Sequence, residues 1–419
     1  MSGVLPLLLL ALAGASPQAK SYALVVGNNQ SLDPKVADLR FADDDAARYY
    51  ELFSARTTDA RLLTVLDQAS QKLYPGLASK ARPPTKVELL RAFEALNAAA
   101  EADRAQGTDS TLYFVFSGHG RRTAAGDGTI QLVDGELTRD EFFEQIVGRS
   151  KATWLHVIVD ACDSYFFVNA RGVQLPASAP ATEAVAAHLA DHSLERHPNV
   201  GAIVSTTSEQ ESHEWQAIGS GVFSHQVRSA LSGAADVNAD GRVEYSELAA
   251  FVAAANAQVT DPRQRVNVSV HPAALDRTVP LVDVTLPSTS AHLLLPRSLS
   301  GHYWLEDELG VRVVEFNKEA GTPLLIAFPG TRTTWLRTEA QEARLSPRPG
   351  EFVDASTLTF SSLARAAKGA TDAIFRQRLF AEAYGPRFYQ GFVSSSGDVP
   401  VAPSVAEQLR SRSASPRVP

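Results

Sequence analysis

The sequence predicts an α/β protein: a doubly wound, mostly parallel sheet with helices on both faces, followed by a smaller β-rich, sandwich-like domain. Three observations carry this. Short, continuous apolar runs recur at 22–27, 61–66, 111–116, 155–160 and 200–206, the pattern of parallel strands covered on both sides. Helical stripes lie between them, so strand, helix and strand alternate as crossover connections require. After about residue 276 the helical stripes give way to short runs separated by Pro, Gly and Ser, which suits antiparallel strands.

Taken in order, residues 4–15 read VLPLLLLALAGA. This run is too short to span a bilayer, and Ala13-Gly14-Ala15 has the small-x-small form that signal peptidase cuts. Residues 1–19 are therefore expected to be a cleaved export signal, and the mature protein to be periplasmic or secreted. The first strand ends at Asn28 and Asn29, and Phe41, Ala46, Tyr49, Tyr50 and Phe53 form a helical stripe over 41–55. Thr85-Lys86-Val87-Glu88 is a capping box opening a helix to about Ala105. Thr138-Arg139-Asp140-Glu141 opens a second, to about Val147. These elements define a domain over 20–276. Runs at 282–286, 291–295, 302–305, 311–316, 324–328 and 333–336 predict a β-rich domain of six or seven antiparallel strands over 277–398. Residues 359–383 carry a helix-like stretch, and 399–419 form a Pro/Ser/Arg-rich tail expected to be disordered.

The chain has 419 residues, 44% hydrophobic and 21% charged, with a formal net charge of -8. That is ordinary globular composition with room for two domains. The absence of basic runs excludes the usual nucleic-acid and anionic-membrane partners, and an acidic balance suits a cationic peptide. Nothing beyond the leader predicts integral membrane association.

Cys162 is the only cysteine. An exported chain ordinarily uses cysteines in pairs, so a single one is retained for chemistry, for an intermolecular bond, or as a small buried apolar residue. Its setting favours chemistry. Ser117-Gly118-His119-Gly120 follows one predicted strand, and Asp160-Ala161-Cys162-Asp163-Ser164 follows the next. Strands joined by one crossover lie side by side, roughly 4.8 Å apart, and open α/β sheets place their sites at carboxyl ends. An imidazole and a thiol on adjacent strand ends form an activated nucleophile. Gly118 and Gly120 are expected to allow a sharp turn and close substrate approach. The N–H groups of Gly120 and Cys162 are the expected oxyanion donors.

A strand ending in SGHG and one ending in DxCxS resemble the caspase-fold peptidases, in particular the bacterial metacaspase-like members. The resemblance covers roughly 21–276 and includes LRFADDDAARYYELF at 39–53, Gly201-Ala202-Ile203-Val204-Ser205 and Gly221-Val222-Phe223-Ser224-His225. It implies a six-stranded caspase-like sheet, a His119–Cys162 dyad and a secreted cysteine endopeptidase acting on peptides or proteins. It further implies a basic P1 preference, with Asp160 and Asp45 as the carboxylates that bind substrate. The sequence departs from the family at Asp163 and Tyr165, where the commoner pattern is C-H-S-G. A catalytically inactive binding module, acting through its groove and β-rich domain, is the rival reading. Arg171 and Arg196 are possible self-cleavage points.

Residues 236–247 fit the EF-hand loop: Asp236, Asn238, Asp240, Arg242, Glu244 and Glu247 occupy the ligand positions, with Gly241 at the sharp turn. Ca²⁺ is the expected cofactor. The position held by Arg242 contributes its backbone carbonyl in such loops. His156 reads as a packed core residue, His188, His192 and His197 as a solvated face, and Glu214 and Trp215 as possible pocket rim.

Overall fold

The computed structural model describes residues 19–123, 127–162, 164–168, 193–205, 214–260, 265–266, 268–286, 288–363 and 378–396. Residues 1–18, where most of the expected export signal falls, Asp163, Arg171, His188, His192, most of 359–383 and residues 397–419 lie outside these.

Six strands form the main sheet: β1 (Lys20–Asn28), β2 (Asp59–Leu63), β3 (Ser110–Gly118), β4 (Trp154–Asp160), β5 (Val200–Ser205) and β6 (Val268–His271). Their spatial order is β6-β5-β4-β3-β1-β2, parallel except for β6, which pairs antiparallel with β5. The expected doubly wound, mostly parallel sheet is thus present.

The strands are apolar throughout because both faces are covered. Val25, Val115, Ile158 and Ile203 face one layer, together with Tyr49 and Phe53 of α1 (Ala42–Ser54) and Val227 of α3 (Val222–Ser229). Leu24, Phe114, Val157 and Ala202 face the other, against Leu89, Phe93 and Leu96 of α2 (Lys86–Ala105). Thr85 caps α2 by accepting from the Glu88 N–H at 3.2 Å. The reciprocal bond of the expected capping box is not made; Glu88 pairs with Arg91 instead. At Thr138 the box is complete.

Between β3 and β4 the sequence suggested one helix alone. The structure adds a three-stranded antiparallel sheet of Gly120–Arg122, Gly128–Leu132 and Gly135–Thr138. Asp134-Gly135, a hairpin dipeptide with Gly135 at φ 151°, was the available signal.

The C-terminal region holds two sheets. One orders Leu324–Pro329, Ser290–Leu295 and Phe352–Asp354; the other orders Arg312–Lys318, Gly301–Asp307, Thr334–Arg337, Gln341–Leu345 and Ser361–Ser362. Two features differ from the expected antiparallel set. Ser290–Leu295 and Phe352–Asp354 run parallel, and Val282–Asp283 joins Arg242–Val243 rather than a C-terminal sheet. Leu293, Leu305, Phe316, Ile326 and Phe328 belong to the same buried cluster as α1 and α3. The C-terminal sheets therefore share one core with the α/β region.

Candidate functional site

Strand register sets the site. β3 and β4 pair Val115 with Ile158, Phe116 with Val159 and Ser117 with Asp160, so the segments carrying His119 and Cys162 leave adjacent strand ends together. A Cβ on Gly120 would stand 2.5 Å from the Cys162 carbonyl oxygen, and one on Gly118 2.9 Å from that of Asn28. Neither glycine has a positive φ. Glycine is required here for close backbone approach, not for the sharp turn the sequence suggested, and Gly120 opens a regular strand.

Cys162 is partly exposed and lines a cleft of about 60 Å³ together with Gly118, Asp160, Asp45, Glu214 and Ser205. The turn behind it is fixed by Ser164, whose hydroxyl donates to the Ser205 carbonyl at the end of β5. Phe167, in the single turn Tyr165–Val168, packs its ring 4.7 Å from Phe142. The serine of DxCxS is thus an anchor between neighbouring strands.

His119 is half-buried. Burial holds its pKa below the ordinary histidine value, against the pull of the Asp38 carboxylate and a hydrogen bond to the Asn29 backbone. Nε2 has no hydrogen-bond partner among the described residues. The imidazole is therefore neutral at pH 7 and tethered on one side, and it is not among the residues that line the cleft beside Cys162.

The carboxylates of the cleft are not equivalent. Asp45 is 1% exposed. It accepts from Gly221 N–H at 2.8 Å, from the Ser220 hydroxyl, and from Arg228 Nη2 at 3.1 Å. Burial pushes its pKa up while Arg228 and Arg48 pull it down. Its charge is already matched, so it is not the open carboxylate that the resemblance implied. Asp160 accepts from Ser224 Oγ at 2.6 Å and Ser224 N–H at 3.2 Å, both on Oδ2, which leaves Oδ1 open. Burial, reinforced by Asp45, pushes Asp160 up to about 7. Glu214 accepts from Arg40 N–H at 2.8 Å and Phe41 N–H at 3.0 Å, both on Oε1, and burial raises its pKa as well.

Gly221 stands between Asp160 and Asp45; a Cβ there would lie 3.0 Å from one carboxylate and 3.1 Å from the other. Sequence reasoning assigned no role to Ser220, Ser224 or Arg228. Their signal was modest: Ser224 and Arg228 are four apart on one buried helix face. Arg40 is exposed and lies over the Phe41 ring. Trp215 is buried under the Arg312 guanidinium, 5.7 Å away, and does not line the cleft. His156 is buried with Nδ1 2.6 Å from the Tyr245 hydroxyl, and His197 packs near Phe143.

In the EF-hand-like loop, Gly241 adopts φ 82° and Val243 pairs with Val282. Asp236 accepts from Asp240 and Gly241 N–H at 3.2 and 2.8 Å, Asn238 from Asp240 N–H at 2.9 Å, and Asp240 from Arg242 N–H at 2.8 Å. Glu247 accepts from Val237 N–H at 3.2 Å and from Glu244 N–H at 3.0 Å. These carboxylates face the loop's own backbone, and no three His, Cys, Asp or Glu side chains are gathered as a metal site among the described residues. No helix among the described residues is long and apolar enough to cross a membrane.

Comparison with known proteins adds the family. The chain is similar to a crystal structure of protein GSU0716 from Geobacter sulfurreducens, with 17% identity over 62% of this chain and 98% of that chain, at a TM-score of 0.33. No curated protein matches it. The model of the Peptidase C14 family, described as the caspase domain, matches residues 20–274, which takes in both strand-end motifs and every carboxylate of the cleft. The chain belongs to the caspase-domain peptidases.

Proposed function

We propose that the protein is an exported cysteine endopeptidase that cleaves after Arg or Lys, with Cys162 as nucleophile and His119 as its proton acceptor. The observation that carries this is the abutment of the Gly120 and Cys162 backbones beside a cleft lined by Cys162 and open carboxylate oxygens. His119 takes the thiol proton, and the thiolate attacks the scissile carbonyl. The oxyanion is met by the N–H groups of Gly120 and Cys162. Its collapse breaks the C–N bond as His119 passes its proton to the leaving amine. Water, giving up a proton to His119, then hydrolyses the thioester to release the acid and restore the thiol.

A P1 guanidinium or ammonium is bound by Asp160 Oδ1 through a charge-assisted hydrogen bond. Glu214 replaces Asp45 as the second carboxylate, because Asp45 is held by Arg228. The test is hydrolysis of fluorogenic peptides differing only at P1. A preference for Arg or Lys over Asp supports the reading; preference for Asp, or no turnover by full-length protein that a His119→Ala change alters, overturns it. In the second case the groove is a binding module.

Calcium binding at 236–247 forms part of the same reading. Asp236, Asn238, Asp240, Glu244 and Glu247, with the Arg242 carbonyl, are the donors. To hold the ion, Asp236 and Glu247 would have to give up the backbone N–H groups they accept from in this structure. The loop continues from α3, whose Ser224 and Arg228 bond to the cleft carboxylates Asp160 and Asp45.

A further inference from the structure

The seam between the α/β region and the C-terminal sheets holds a second cavity, of about 40 Å³, which Cys162 does not line. Four arginines line it, Arg48, Arg56, Arg228 and Arg332, against two carboxylates, Glu51 and Asp307. Two of the four are matched. Arg228 pairs with Asp45 at 3.1 Å, and Arg332 with Asp307 at 2.8 Å and Glu51 at 3.2 Å. The other two hold only neutral acceptors. Arg48 donates to the Tyr74 hydroxyl and the Ile218 carbonyl, and Arg56 to the carbonyls of Leu231 and Ala327. Arg48 Nη1 and Arg56 Nε are buried with no hydrogen-bond partner among the described residues.

We infer that this cavity is a binding site for a small inorganic anion, of the size of phosphate or chloride. A buried guanidinium without a counter-charge is costly, and one without an acceptor more so. An anion here supplies the counter-charge that Arg56 lacks, and acceptors for Arg56 Nε and Arg48 Nη1. Burial acts against the Arg48 charge, but Tyr74, Asp45 and Asp44 outweigh it and hold its pKa above the ordinary arginine value. At Arg48 the anion therefore supplies an acceptor rather than a missing charge. Burial lowers the Arg56 pKa to about 10, against a small pull from the Tyr113 phenol, and no carboxylate among the described residues acts on it. Ser290 and Thr334 add buried hydroxyls to the wall, and exposed Thr331 marks the mouth. The volume admits a small ion and excludes a nucleotide or peptide. Arg228 serves both this cavity and Asp45, so the anion sits one guanidinium away from the peptidase cleft.

Melting of the intact chain carrying Cys162→Ala tests this without reference to peptidase activity. Sodium phosphate and sodium chloride are compared with sodium gluconate, too bulky to enter, at equal ionic strength. Phosphate or chloride at about tenfold excess over its dissociation constant is expected to raise the melting temperature on the order of 2 °C above gluconate. Adding Ser290→Asp, which places a carboxylate in the cavity, abolishes that gain. Equal melting of the parent in all three salts, or the same gain in Ser290→Asp as in the parent, overturns the site. If Ser290→Asp does not fold, Arg56→Met is read instead: loss of the gain supports the site and retention overturns it.

Discussion

The cleft beside Cys162 and the seam around Glu315 both bury carboxylates, yet they treat them in opposite ways. Glu315 is 1% exposed and fully matched. Arg312 grips both its oxygens at 3.0 and 2.9 Å, His225 Nε2 lies 2.9 Å away and His302 Nε2 2.8 Å. Although burial acts the other way, Arg312 and the two histidines hold its pKa well below the ordinary glutamate value. The Arg312 guanidinium in turn lies 4.7 Å over Trp304 and 5.7 Å over Trp215. In the cleft, Asp160 keeps one oxygen without a hydrogen-bond partner among the described residues, and burial lifts its pKa to about 7. A carboxylate with every partner inside the protein holds structure together. One left half-satisfied in a cleft, as Asp160 is beside Cys162, is the kind of group that the proposed reading needs for a ligand.

The largest expected effect is at the nucleophile. Cys162→Ala lowers kcat/KM for a P1-Arg peptide by at least about 10⁴-fold while leaving the melting temperature nearly unchanged. A residual rate near that of the parent would mean the cleft works by other chemistry. The seam is expected to show the reverse signature. Arg312→Met leaves Glu315 as a buried charge without its strongest partner and costs about 3–5 kcal/mol of stability, read as a lower urea midpoint. Because His225 follows Ser224 on α3, some loss of substrate affinity accompanies it. A stability loss below about 1 kcal/mol would erase the contrast between the two regions.

Asp160→Asn sharpens the comparison from the cleft side. It is expected to raise KM for P1-Arg peptides by about 10–100-fold, since a charge-assisted hydrogen bond is lost, with little change in melting. Glu214→Gln has a smaller effect, about tenfold or less, and Asp45→Asn acts chiefly on stability by stranding Arg228.

The pH dependence follows the same logic. Asp160 ionises only near pH 7, so binding of a cationic P1 residue is strong above that pH and weakens as pH falls through it. The His119 pKa lies below the ordinary histidine value, so the base remains neutral over that range. The affinity for P1-Arg should therefore fall on acidification before kcat does, and Asp160→Asn should flatten the KM profile. An unchanged profile in that variant would remove Asp160 from substrate recognition. Smallest is the calcium effect: Glu247→Gln abolishes the calorimetric heat of Ca²⁺ binding to the full chain, and equal heats in variant and parent would dispose of the loop site.

Much of this was legible in residues 20–276. Continuous apolar runs identify strands buried on both faces, and the capped helices between them leave few topologies, so the placement of His119 and Cys162 on neighbouring strand ends followed from spacing alone. The hairpin sheet after Gly120 was missed because its strands are three to five residues long, too short for periodicity to register.

What the sequence determined by itself was the sheet, its helices and the two strand-end motifs, because these rest on local patterns read over a dozen residues. What only the tertiary structure decided was which charges are matched. Asp43, Asp44 and Asp45 are consecutive acids in one dimension, yet Asp45 meets Arg228, 183 residues away, and Glu214 takes the open place beside Asp160. Charge matching depends on groups brought together from distant parts of the chain, and on burial that raises the cost of leaving one unmatched.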